Sequence, residues 1–239
     1  MTAATAADPT RRTAFVAGLL YLVTFASSIP AVFLLDPVLH DPAYVTGAGA
    51  DTQVSVGALL DLVNALACIG TAVALFSVLK WQHEGLALGF VTSRMFEAAT
   101  IVIGVVSILA VVTLRQTEAA NGDAASFVPV ARGLVAVRDW TFVIGPGMAG
   151  LNALLLGTLL FTGRLIPRII PAIGLVGGPI YLSSVAAIIV GIAQPGGIWQ
   201  GIGGLFMFVW ELLLGLWLVF RGFDRSSPIV DAAISRGLA

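Results

Sequence analysis

Apolar residues run through this chain in six long blocks, approximately Thr13 to Leu35, Val54 to Leu79, Ala87 to Leu114, Trp140 to Thr162, Ile169 to Ala193 and Gly201 to Phe220. Each is close to the roughly 20 residues that a helix needs to cross the hydrocarbon of a bilayer. The pattern predicts an all-α, polytopic transmembrane helical bundle of six spans over residues 13–223, with cytoplasmic tails at 1–12 and 224–239 and no separate soluble domain. Within the blocks, small and polar residues recur at steps of three and four, which puts them on one helical stripe. Span two carries Gly57, Asp61, Asn64, Cys68 and Thr71; span three carries Ser93, Glu97, Thr100, Gly104 and Ser107; span six carries Gly201, Gly204, Phe208, Glu211, Gly215 and Gly222. In lipid such stripes let helix backbones approach closely, and these three also hold an acid. Gly145-Pro146-Gly147 and Gly177-Gly178-Pro179 predict kinks in spans four and five, because proline removes a backbone donor and clashes with the preceding turn. In transporters, interrupted helices can also expose backbone groups to a substrate.

The polar segments between the blocks set an orientation. Arg11, Arg12, Lys80, Arg164, Arg168, Arg221 and Arg225 fall on one side, against Arg115, Arg132 and Arg138 on the other. The positive-inside rule then makes both termini cytoplasmic. Lys80 to Leu86 and Gly163 to Arg168 become short cytoplasmic turns, and the segments Asp36–Gln53, Arg115–Asp139 and Gln194–Gln200 face outside. Residues 127–138 read as a short interfacial helix leading into span four, and the end of the tail beyond Phe223 as disordered. Arg11-Arg12 before an apolar stretch also resembles a signal peptide, with Ala26-Ser27-Ser28 as a cleavage site. The apolar run continues through Ile29 to Leu35, which favours an uncleaved span.

Composition agrees: 58% of residues are hydrophobic, 10% are charged and the mean hydropathy is +1.00, against about 25% charged in a soluble domain. The chain is expected in a membrane as a multi-pass protein in contact with lipids. A net charge of -1 with dispersed cations excludes a nucleic-acid partner. The lone Cys68 forms no internal disulfide and reads as a small packing residue. The two histidines, His40 and His83, lie on opposite sides, so no shared metal or haem is expected, and His83-Glu84 lacks the second histidine of a zinc-protease helix. There is no Gly-x-Ser-x-Gly elbow and no phosphate-binding Gly-Lys loop. No cofactor or metal is expected, and no catalytic motif is recognisable.

What remains is charge within the spans. A full charge near the centre of a span costs roughly 2.5 to 3.5 kcal/mol on insertion scales, so such groups face a protein interior or a water-filled cavity and have partners. At 1.5 Å per residue, Glu97 and Glu211 each lie on the order of 15 Å deep and Arg94 on the order of 10 Å. Arg94 is placed to pair with Glu97 on its own helix or with Glu211 across the bundle, so spans three and six are expected to be neighbours. One arginine between two acids leaves a charge over, to be met by a proton or a cation. A second polar group gathers Asp61, Asn64, Arg138, Asp139 and Asn152, with an Asp61–Arg138 pair possible at the outer ends. Two readings follow: a small transporter with a protonatable Arg94, Glu97 and Glu211 cluster for a proton, cation or small molecule, or a structural or accessory membrane protein in which the cluster only holds helices. An intramembrane enzyme comes third. Six spans also allow two inverted three-span halves, with Glu97 and Glu211 in comparable places.

Several segments together carry a family likeness: Ala17-Gly18-Leu19-Leu20-Tyr21-Leu22, Arg94-x-x-Glu97, Leu165-Ile166-Pro167-Arg168, and Trp210-Glu211-Leu212 through Gly215-Leu216-Trp217-Leu218 to Arg221-Gly222-Phe223. In this order they resemble the bacterial membrane family held as domain of unknown function 4386, over nearly the whole chain. The resemblance implies a six-span bacterial membrane protein and transfers no catalytic residue.

Overall fold

A computed structural model describes residues 9–41, 43–47, 49–121 and 124–235. The described residues form helices and connections only: α1 (Pro9–His40), α2 (Asp51–Asn121), a 3-10 turn (Ala124–Phe127), α3 (Val128–Thr162), α4 (Ile169–Ile189), α5 (Ile198–Phe220) and α6 (Pro228–Ser235). Helices α1 to α5 are each long and apolar enough to cross a membrane. Spanning helices suit such a chain because each satisfies its own backbone hydrogen bonds where no water is available. Helix α2 is a run of 71 residues broken at His83, where φ is -157° and ψ is 98°. Counting its arms, 51–82 and 84–121, separately makes six. His83 Nδ1 accepts the N–H of Leu86 at 3.2 Å, satisfying one of the donors left open at a helix start. The turn expected over Lys80–Leu86 is thereby reduced to a single extended residue.

Other boundaries differ from the hydropathy reading in the same direction. Helix α1 continues past Leu35 through Pro37, and Asp36 bonds His40 one turn on, at 2.9 Å. Residues 128–138 are not a separate interfacial helix but the opening turns of a continuous α3. The prolines at 146 and 179 lie inside α3 and α4, which run on through them as helix. The segment after Phe223 is not simply a polar tail, since α6 forms there and buries Val230 and Ala233; residues 236–239 lie outside the described residues.

Two compact units divide the chain, one of Met1–Leu22, Ala67–Met95 and Gly147–Ala239, the other of Val23–Leu66 and Phe96–Pro146. The first unit packs Tyr21, Leu75, Phe90, Leu159, Trp210 and Leu214 into one core. Its helices touch through glycine: a Cβ at Gly178 would lie 2.8 Å from the Gly150 carbonyl oxygen, and one at Gly150 equally close to that of Gly178. Gly18 stands 2.7 Å, on the same construction, from the Gly215 carbonyl. Helix α4 meets α5 through Gly174 against Trp210 and Gly203 against Tyr181. On α5 the working glycines are therefore Gly203 and Gly215; Gly201, on the stripe read from sequence, has open space around it. Arg11 donates to the last carbonyls of α5, Leu218 at 3.2 Å and Val219 at 2.7 Å, a favourable place for a cation at the negative end of a helix. Beyond α5, Ser227 Oγ donates to Gly163 and the Asp224 N–H to Leu165, which fastens α6 to the turn between α3 and α4.

The second unit has its own core of Leu35, Val38, Val54, Ile108, Val111 and Ala131. In both units large apolar side chains also point outward, among them Phe33, Leu59, Val106, Ile169, Leu205 and Phe220. Exposed apolar faces on this scale are costly in water and natural in lipid. The chain is a membrane protein.

Candidate functional site: ion pairs buried among the helices

In the first unit, Arg94 on the second arm of α2 is 1% exposed and its Nη2 lies 3.3 Å from Glu211 Oε1 on α5. The guanidinium carbon stands 5.1 Å from the centre of the Tyr21 ring on α1, within cation–π range. Three helices thus meet at one charge. Trp210, seated on Gly174, sets the rotation of α5 that brings the next residue, Glu211, to the arginine. The Glu211 side chain keeps 14% of its surface exposed while that of Arg94 keeps 1%. Asn152 on α3 is buried in this unit.

The second unit holds Glu97, buried on α2, whose carbonyl accepts the Thr100 hydroxyl at 2.7 Å. Here Arg138 Nη2 lies 2.9 Å from Asp61 Oδ2, both side chains 9% exposed. Gly104 makes room for this arginine, since a Cβ there would come 2.8 Å from Arg138 Cδ. The Arg138 guanidinium also stacks 4.8 Å from the centre of the Phe142 ring. Asn64 is half-buried. Asp139 is exposed and lines a cleft of about 280 Å³ with His40, Asp41 and Arg132.

A third cluster was not recognised from sequence. Arg115 Nη1 meets Asp51 Oδ2 at 2.6 Å, its Nε donates to the Tyr44 carbonyl at 3.1 Å, and its Nη2 donates to Gly47 at 3.3 Å. Tyr44 Oη donates to the other Asp51 oxygen at 3.0 Å. Burial, then the hydrogen bond and charge of Asp51, raise the Tyr44 phenol pKa well above its usual value, against the lowering effect of Arg115. Gly49 completes the site: its φ of +54° is a left-handed conformation, and a side chain there would strike the Arg115 guanidinium. A signal was present, since Asp51 and Arg115 stand equally far along the chain from His83, and an antiparallel pair of arms folded at that residue brings them level.

These features define a helical membrane protein in which three arginine–carboxylate pairs, Arg94–Glu211, Arg138–Asp61 and Arg115–Asp51, tie helices together. The chain belongs to the family described as domain of unknown function DUF4386, which matches residues 16–222 and so includes all three arginine–carboxylate pairs. No curated protein and no solved structure matches it.

Proposed function

We propose that this is a six-span protein of the bacterial cytoplasmic membrane, with both termini cytoplasmic, that acts as a small transport protein exchanging a proton or cation at Glu211. The observation that carries the reading is the unequal sealing of the Arg94–Glu211 pair, 1% against 14% exposed. The cation is closed off while the acid keeps an accessible edge, which is the arrangement a carboxylate needs to gain and lose a positive charge. Ionised Glu211 neutralises Arg94 and ties α5 to the second arm of α2. Binding of a proton or cation at Glu211 weakens that tie, which couples charge uptake to helix movement. Glu97, also within the membrane, is the second acid of the proposal. The orientation is supported by Arg11, Arg164, Arg168, Arg221 and Arg225 standing at one set of helix ends.

A structural role is the second reading, favoured by the stacking of Arg94 on Tyr21 within the core. Proteoliposomes with an entrapped pH-sensitive dye separate the two. Transport requires that the parent chain dissipate an imposed proton, sodium or potassium gradient faster than empty vesicles. Glu211→Gln, shown by size exclusion to be folded, must lose that flux, and Glu97→Gln must reduce it. A parent no more permeable than empty vesicles to any of these gradients overturns the transport reading.

A further inference from the structure

A cleft of about 710 Å³ opens at one end of the first unit, between the α3–α4 turn and the end of α5. Arg164, Arg168 and Arg221 line it, together with Trp217 and Asp224. Three arginines and one carboxylate leave two positive charges in excess. The Asp224 carboxylate is already engaged, accepting the Ser226 N–H at 2.9 Å and hydroxyl at 2.8 Å, and these bonds lower its pKa. Among the described residues no carboxylate stands within 4 Å of any of these three guanidinium groups. Arg164 sits at a φ of 50°, a left-handed position after a helix where glycine is usual. A strained residue that keeps its side chain is a reason to look for what that side chain does. Helix α4 begins directly after Arg168, and its positive end adds to the field at the cleft.

From this geometry we infer that the cleft binds the phosphate of an anionic phospholipid headgroup. Arginine suits phosphate because its planar fork donates paired hydrogen bonds. A lipid is favoured over a free phosphate by what flanks the cleft: Phe220 and Ile169, next to lining residues Arg221 and Arg168, are 72% and 71% exposed. Such side chains belong against acyl chains, and Trp217, a half-buried residue of the cleft lining, has the amphipathic character of an interfacial residue. The inference rests on this end of the first unit alone and holds whichever leaflet it faces. It is independent of the transport reading.

The test is native mass spectrometry and thermal unfolding of the full chain in detergent, titrated separately with phosphatidylglycerol, phosphatidylcholine and inorganic phosphate. Phosphatidylglycerol is expected to give retained adducts and a raised midpoint, and the other two neither. Arg164→Gln and Arg221→Gln should each weaken the phosphatidylglycerol effect roughly fivefold, the scale of one cation at a charged membrane surface. Arg132→Gln, an exposed arginine of the second unit, should leave it unchanged. Equal stabilisation by phosphatidylcholine, equal stabilisation by inorganic phosphate, or an undiminished effect in both cleft variants would overturn the inference.

Discussion

Removing one charge of the Arg94–Glu211 pair should cost far more than removing both. At 3.3 Å and an effective dielectric of about 20, the direct attraction is on the order of 5 kcal/mol. Most of that is offset by the cost of taking the two groups out of water, so the pair as a whole contributes little. Its loss by halves is different, because an isolated buried charge has the penalty without the attraction. Glu211→Gln keeps the side-chain shape and removes the carboxylate charge that faces Arg94, 1% exposed; Arg94→Met leaves the acid. Each single variant is expected to lose about 3–5 kcal/mol. The double variant, apolar at Arg94 and neutral at Glu211, should recover to within about 2 kcal/mol of the parent. Unfolding in mixed micelles, followed by tryptophan fluorescence, measures all four proteins under one condition. The expected coupling energy is then at least about 4 kcal/mol, above the roughly 0.5–3 kcal/mol usual for residues in direct contact, because each single variant strands a buried charge. Single variants within about 0.5 kcal/mol of the parent, or a double variant as unstable as the sum of the singles, would refute the account of this pair as a mutually dependent tie.

Three further outcomes follow from other sites. Gly178→Ala puts a methyl 2.8 Å from the Gly150 carbonyl and should destabilise by about 1–3 kcal/mol through overpacking, whereas Gly201→Ala, in open space, should be neutral or gain up to about 1 kcal/mol in helix propensity; thermal midpoints in detergent distinguish them. Arg138→Gln should cost about 3–5 kcal/mol by stranding the buried Asp61, and Arg138→Lys less, both read by the same unfolding measurement. The Tyr44 phenol has its pKa raised from an ordinary 10.0, so the stability that it contributes is full below pH 10 and is lost only as pH rises through the higher folded value. A difference titration at 295 nm between the parent and Tyr44→Phe should show no Tyr44 phenolate at about pH 10.5; ordinary ionisation there would show that the cluster with Asp51 and Arg115 does not form.

Hydropathy and spacing by themselves determined the class of this protein. Blocks of apolar residues at span length leave helices as the way to satisfy the backbone in lipid, and helical periodicity alone placed Asp61, Glu97 and Thr71 on buried stripes. Charge cost singled out Arg94 and Glu211, because so few charged residues lie within the blocks. Helix ends were less legible: hydropathy marks where apolar residues stop, while helices continue through polar residues, as α1 does to His40 and α3 does from Val128. Which glycines carry the packing was decided only by tertiary structure, since a stripe shows that a residue is small and not that another backbone lies against it. Gly201 and Gly203 look alike in sequence, yet only Gly203 has Tyr181 at its α-carbon. The meeting of Arg94 with Glu211 was settled in the same way. Arg94 had two acids within reach, and the rotation of α5, set by Trp210 on Gly174, brings Glu211 to it. Arg115 read as a loop cation until the break at His83 brought Asp51 and Tyr44 around it, because a pairing across two helix arms depends on where the chain turns.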